Sequence, residues 1–208
     1  MKKIFIGVCN SQSSQPSDFF WSMIGQIDFV AQPVFARAIH PWDVIRNNQL
    51  IDWFLKSDCD YFVKTDVDQV YPNNYFKVMV PLIDEYKVIG PLIFDRPHSS
   101  NFTPLVNWLG DKEHTDIKGK TGIVEVPYLH TNCFFHREVW EKIPRPWYEV
   151  TMTPDGMGRA NHIDADVMRK IPKAGYKIYL NYDVVVKHVA EVPIGREEYE
   201  RWNGQVLR

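Results

Sequence analysis

Apolar, β-prone runs alternate with runs of helical periodicity from the N-terminus to about residue 94, and this alternation restricts the fold more than any other feature of the chain. Ile4-Phe5-Ile6-Gly7-Val8 reads as a first strand; a Ser- and Gln-rich loop follows, and Ser17 or Asp18 caps a helix that begins at Phe19. Gln32 to Ala38 reads as a second strand, and Pro41 or Asp43 opens a helix carrying Val44, Ile45, Leu50, Ile51, Phe54 and Leu55. Tyr61-Phe62-Val63 is too short a run to be a helix of its own and reads as a buried third strand. A helix with Tyr75, Phe76, Val78, Met79 and Leu82 comes next, then a strand from Val88 to Phe94. Such an order predicts an α/β domain, a sheet flanked by helices. With 208 residues there is enough chain for one full hydrophobic core and too little for two comfortable ones, so a single domain over 1–208 is expected.

The third strand ends abruptly in charge, at Lys64-Thr65-Asp66-Val67-Asp68. If the chain stays extended, Asp66 and Asp68 share a face about 6.5 Å apart, at the strand end where open α/β sheets hold their ligands. The pair is a candidate cation site, set against the plainer reading of an acidic turn ahead of Asn73-Asn74. Lys64 shares that face and either addresses a ligand or pairs with Asp66. The loop after the first strand lacks the Gly-x-Gly-x-x-Gly and Gly-x-x-x-x-Gly-Lys patterns that wrap phosphates, so a diphosphate needs another neutraliser. Arg46 near the start of the second helix and Arg96 after the strand from Val88 are candidates for a phosphate.

Farther along, Ile123 to Val126 reads as a strand, and Tyr128 to His136 as a strand leading into a helix from Arg137 to Ile143. His130 and His136 read as structural. Pro144 to His162 is a long irregular stretch of the kind that forms lids, and Trp147 and Tyr148 within it suit either a stacking wall or packing. A late helix beginning at Ile163-Asp164-Ala165-Asp166 ends at Gly175 as its C-cap. Tyr176 to Leu180 and Val184 to Val189 read as two short strands separated by Asn181-Tyr182-Asp183, with His188 at the end of the second.

A formal net charge of −2 gives no general attraction to nucleic acid. The N-terminal apolar run is too short for a secretion signal, and no later run approaches the roughly 20 residues that span a bilayer. Cys9, Cys59 and Cys133 are odd in number and lack metal-ligand spacing, which suits reduced thiols in a cytoplasmic protein.

Taken in order, these pieces resemble a GT-A-fold glycosyltransferase, most like family 2 and its small phage or viral relatives. The resemblance rests on Arg46-Asn47 with Phe54-Leu55, Asp66-Val67-Asp68 as a DxD motif, Pro72-Asn73, and Arg137 to Pro144 followed by Pro146-Trp147-Tyr148. It is completed by Asp164 eleven residues before Gly175, and by His188. It implies one Rossmann-like GT-A domain with a central mixed, mostly parallel sheet. It also implies transfer of a sugar from a nucleotide-diphosphate sugar to an acceptor hydroxyl, with inversion. A cation bound by Asp66, Asp68 and His188 stabilises the leaving diphosphate; this ligand set suits Mn²⁺, with Mg²⁺ as the alternative. By position, Val8, Asn10, Arg46 and Lys64 join Asp66 and Asp68 as donor-binding candidates. The family's base falls at Asp164, yet Ile163 stands where the family has Glu and a second acid follows at Asp166, so both acids remain candidates and a retaining outcome stays open. Two rival readings are a nucleotidyltransferase and a non-catalytic nucleotide-sugar or carbohydrate-binding protein. Glycan, protein, small-molecule and modified-DNA-base acceptors are all open, and a viral member would work in the host cytoplasm.

Overall fold

The computed structural model describes residues 1–10, 17–26, 30–93, 119–129, 132–160 and 163–189, without the side chains of Asn10, Ser17, Asp18, Ile24 and His188. The helix-capping expectation for Ser17 or Asp18, the phosphate expectation for Arg96 and the structural reading of His130 lie outside that description.

Strands form at β1 (Lys3–Asn10), β2 (Gln32–Ile39), β3 (Tyr61–Asp66), β4 (Gln69–Val70), β5 (Val88–Ile93), β6 (Ile123–Val126), β7 (Phe134–His136) and β8 (Ile178–His188). They make one mixed sheet in the order β2-β1-β3-β7-β5-β8-β4, with β6 also beside β8. β1 runs parallel to β2 and β3, and β5 parallel to β8; β3–β7, β5–β7, β6–β8 and β4–β8 are antiparallel. The sheet is therefore mixed as expected, but not mostly parallel. β4, two residues long, follows β3 across a two-residue turn yet pairs antiparallel with β8 rather than with β3.

Alternation along β1 explains why both faces of the sheet are covered. Ile4, Ile6 and Val8 join Tyr61, Val63, Tyr75, Phe76 and Met79 in one apolar cluster, under α1 (Ser17–Ile24), α3 (Tyr75–Met79) and α4 (Ile83–Tyr86). Phe5 and Phe62 join Leu50, Phe54, Trp140 and Ile171 in the other, under α2 (Asp43–Lys56), α5 (Arg137–Lys142) and α6 (Ile163–Lys173). Gly7 brings α2 close, since a Cβ there would lie 3.1 Å from both Leu50 Cδ1 and Phe62 Cε2. The helix expected across Tyr75–Leu82 is α3 followed by a 3₁₀ turn, Val80–Leu82, where Pro81 lacks the amide hydrogen of a continuous α-helix.

The end of α2 is closed by a residue far away in sequence. Arg137 donates from Nε to Cys59 O at 2.8 Å, from Nη1 to Leu55 O at 3.2 Å, and from Nη2 to Phe54 O at 3.1 Å and Ser57 O at 2.6 Å. Its guanidinium also lies 4.8 Å from the centre of the Phe54 ring. One planar cation thereby satisfies carbonyls that a helix C-terminus leaves open, and its charge complements the helix dipole.

β8 corrects a second expectation, because it is continuous rather than two short strands. Pro91 pairs with Asn181 and Leu92 with Val185, so Tyr182, Asp183 and Val184 form a bulge. Gly122 satisfies that bulge: its carbonyl accepts from Tyr182 N at 3.0 Å and its amide donates to Asp183 Oδ2 at 3.1 Å. Gly175, at φ +88°, ends the turn after α6 as expected of a C-cap. Among the described residues no helix is long and apolar enough to cross a membrane.

Candidate active site

The parallel pairing of β1 with β3 puts Cys9 opposite Asp66 and Val8 opposite Thr65, so both strands end at one edge. β3 stops at Asp66, and Val67-Asp68 turn the chain into β4. Asp66 and Asp68 are thus two corners of a turn and not alternate positions of one extended strand, which corrects the geometry expected from the sequence. The turn is fastened from outside: Gln69 pairs opposite His188, Val70 opposite Lys187, and Val189 N donates to Asp68 O at 2.7 Å. The backbone of His188 is therefore brought beside Asp68 from about 120 residues away in sequence.

Behind the turn lies a buried ion pair. Lys64 is 7 % exposed, and its Nζ stands 3.3 Å from Asp164 Oδ1 and 3.7 Å from Asp66 Oδ2. Burial pulls the Lys64 pKa down, but Asp164 and Asp66 outweigh it and hold the ammonium well above its ordinary range. Lys64 is engaged with both acids, the pairing its place on the strand allowed, and α6 is tied to β3 through it. Asp66 and Asp68 stand on the turn and Asp164 behind it, three carboxylates to the one ammonium of Lys64. Part-exposed carboxylate oxygens are hard ligands that fit Mg²⁺ or Mn²⁺. Among the described side chains no three acid, Cys or His groups cluster as a metal site, and the side chain of His188 is not among them.

The two late acids diverge. Asp164 is 4 % exposed and faces Lys64. Asp166 accepts from Thr151 Oγ1 at 3.4 Å and lies 3.5 Å from Arg169 Nη1, toward the surface. Lys64, Asp164, Asn132, Cys133 and Tyr148 line a cavity of about 10 Å³, room for one water-sized molecule and too small for a sugar.

Of the donor candidates, Val8 is buried in the core, two residues before the end of β1 and between β2 and β3. Asn10 ends β1, with its side chain outside the description. Arg46 donates from Nη1 to His40 O, which ties it to the loop between β2 and α2. Cys9 donates to Asn47 Oδ1 at 3.1 Å, and burial pushes its thiol up to about 12.

The expected lid is partly nailed down. Trp147 and Tyr148 are core residues, each 4 % exposed, rather than a free stacking wall. Asn48 grips this stretch: its Oδ1 accepts from Trp147 N and Tyr148 N, both at 3.1 Å, and its Nδ2 donates to Tyr148 O at 2.8 Å. Farther out, a bridge between Met152 and Arg159 closes a small hairpin, held to α2 by Arg159 on Asp43 at 2.9 Å. Sequence reasoning did not single out Asn48, which grips this stretch, Gln69, which pairs opposite His188, or Asn132, which lines the cavity beside Lys64 and Asp164. The adjacent Asn47-Asn48 on a helix face was the one visible signal.

No family model matches the chain, and no curated protein matches it by sequence. Solved structures do match. A197 from STIV superposes with a TM-score of 0.58 at 17 % identity, covering 92 % of this chain and 87 % of that one. S. aureus TarS 1-349 in complex with UDP-GlcNAc gives 0.58 at 10 % identity, over 96 % of this chain and 64 % of that one. GalNAc-T7 with UDP, GalNAc and Mn²⁺ gives 0.52 at 11 % identity, over 92 % of this chain. The chain spans 44 % of that structure and thus less than half of its length. These likenesses cover nearly the whole chain, and its fold is the GT-A fold of glycosyltransferases.

Proposed function

We propose that the chain is a cation-dependent glycosyltransferase that uses a nucleotide-diphosphate sugar and inverts the anomeric centre. The observation that carries this reading is the convergence at one sheet edge: the Asp66–Asp68 turn, the end of β8 with His188, and Asp164 joined to Asp66 through Lys64. Two of the structures that share the fold contain UDP or a UDP-sugar, and one of these also has Mn²⁺.

Asp66 and Asp68, with His188 as a third ligand, would hold Mn²⁺ or Mg²⁺. The cation supplies Lewis-acid stabilisation of the departing diphosphate. The acceptor oxygen forms its bond to the anomeric carbon as the bond to the diphosphate oxygen breaks, and the hydroxyl proton passes to a carboxylate. Asp164 is that base in this reading, because it is the acid linked to the cation turn, whereas Asp166 faces Thr151 and Arg169. Its burial requires that acceptor binding open the cavity beside it. Val8 and Asn10 at the end of β1, with Arg46, border the nucleotide.

The test is a thermal-shift screen of UDP-, GDP-, CMP- and dTDP-sugars with and without Mn²⁺, since a ligand that binds only the native state raises its apparent stability. A Mn²⁺-dependent shift with one nucleotide family, lost in Asp68→Ala, is expected. Equal shifts in wild type and Asp68→Ala overturn the cation site. Asp164→Asn is expected to keep donor binding and lose transfer, with Asp166→Asn retaining both. The near-complete burial of Asp164 favours one second reading, a nucleotide-sugar-binding protein without turnover; donor binding with no transfer or donor hydrolysis under any acceptor would select it.

A further inference from the structure

Gln69, Tyr71 and Asn132 are polar side chains buried almost completely, at 1 %, 2 % and 0 % exposure, inside a region otherwise packed with rings. The Tyr71 ring packs against Phe19 and Tyr75. Its hydroxyl lies 2.9 Å from Gln69 Oε1 and 3.0 Å from Asn132 Oδ1. A phenol has one proton and donates to only one of these oxygens, so the other amide turns its NH₂ toward the phenol. Asn132 has the reason to turn, because its Nδ2 is buried and otherwise has no partner among the described residues. A buried donor left unpaired is destabilising, and reorientation gives the Asn132 NH₂ a partner and takes its carbonyl oxygen off a phenol oxygen whose proton is already committed. A continuous chain then runs from Asn132 Nδ2–H to Tyr71 Oη, and from Tyr71 O–H to Gln69 Oε1.

Both ends of this chain reach the site. Gln69 directly follows Asp68 and is the residue paired opposite His188. Asn132 lines the cavity shared by Lys64 and Asp164. Asn132 also stands at φ +58°, a left-handed conformation that Asn tolerates better than most residues. These groups hold the inner side of the turn whose outer side is strapped by β8.

We infer that Tyr71 is a positioning residue for the cation turn: its hydroxyl, fixed between Gln69 and Asn132, keeps Asp66 and Asp68 at the spacing a divalent cation needs. This rests on the cation reading proposed above. Partners that orient metal ligands commonly change affinity by about 10- to 100-fold when removed.

The experiment titrates the full chain with Mn²⁺, read by the electron paramagnetic resonance of the free ion, beside thermal midpoints in chelator. Tyr75→Phe is the matched control. It too removes a buried hydroxyl, but one that donates only to the Asn132 backbone carbonyl, at 3.2 Å. Tyr71→Phe is expected to weaken Mn²⁺ binding about 10-fold, and Asn132→Gly, which keeps the left-handed backbone, to weaken it in the same direction. Tyr75→Phe is expected to stay within about 2-fold, while the thermal midpoints of the two tyrosine variants fall by similar small amounts, on the order of 2–4 °C. Equal Mn²⁺ affinity in Tyr71→Phe and Tyr75→Phe overturns the inference and leaves the cation reading standing. Absence of Mn²⁺ binding by the wild type overturns both.

Discussion

Arg137 and Lys64 are both cations drawn into the fold, and they are held in opposite ways. Arg137 gives its hydrogen bonds to backbone carbonyls at the end of α2, neutral partners that neither titrate nor leave, and a half-exposed Glu141 carboxylate, 3.6 Å from Nη1, answers its charge. Lys64 meets two carboxylates, one buried on α6 and one on a part-exposed turn. The first arrangement is architecture: every donor is committed, and no ligand competes for its acceptors. The second can be rearranged, since a cation arriving at Asp66 takes over part of the charge that Lys64 now balances, while Asp164 remains its partner. A cation drawn into the fold thus fixes a helix end in one place and, in the other, sits between two carboxylates beside the candidate site.

The largest expected effect tests this difference. Lys64→Met leaves Asp164 buried without its counter-ion and should cost about 3–5 kcal/mol in urea unfolding, whereas Lys64→Met with Asp164→Leu should recover most of the loss, because an apolar pair can replace a buried ion pair. Failure of the double variant to recover would mean that Lys64 packs more than it pairs. The pH dependence follows from the raised Lys64 pKa. Its contribution is fully present below the unfolded value of 10.5 and is lost as pH rises through the higher folded value. The stability gap between wild type and Lys64→Met should therefore be flat from neutral pH to about 10.5 and narrow above it.

Arg137→Met should cost about 2–4 kcal/mol, since hydrogen bonds from a charged donor are lost and the carbonyls it capped are stranded. No second substitution should restore this loss, because the acceptors of its hydrogen bonds are main chain. Thiol labelling localises it: Cys59, whose carbonyl accepts from Arg137, should label faster than in wild type, while Cys9 beside Asn47 stays slow. A compensating side-chain change, or equal acceleration at both thiols, would erase the contrast between the two cations.

The smallest effect is expected at the hairpin. Arg159→Ala removes an exposed pair with Asp43 and should cost under about 1 kcal/mol. It should nevertheless increase proteolytic cutting between residues 151 and 160, since that pair holds the hairpin to α2. An unchanged cutting rate would show that the bridge of Met152 with Arg159 suffices by itself.

What the sequence made legible divides along chemical lines. Alternation, burial and glycine turns are local properties, and they located β1, β2, β3, β5, α2 and α6 as well as the strand end that carries Asp66. Order along the chain suggested the GT-A fold, which the solved structures bear out. The turn at Val67-Asp68 was not legible, because an Asp-x-Asp segment is equally compatible with extended and turning backbone; the tie from Val189 to Asp68 decides it. The parallel character of the sheet was overestimated because β7 has only three residues, too few to show a direction in its pattern. Asn48, Arg137 and Asn132 escaped because their partners are backbone groups or buried polar atoms many residues away, and no side-chain pattern announces such a partner. Trp147 and Tyr148 offered a choice between wall and core, which only the grip of Asn48 resolves.

The bulge in β8 has a consequence for how the chain can vary. Ile178, Leu180 and Tyr182 belong to the cluster under α2, α5 and α6, whereas Val184 and Val186, still even-numbered, belong to the other. The odd count of three bulged residues switches the parity of the strand, so one uninterrupted alternation serves both faces of the sheet in turn. The segment therefore behaves as a reading frame. Gain or loss of a single residue between Asn181 and Val185 would invert every downstream side chain up to the pairing with β4, while changes of two would keep the phase. Descendants of this sequence should differ in length there by even numbers.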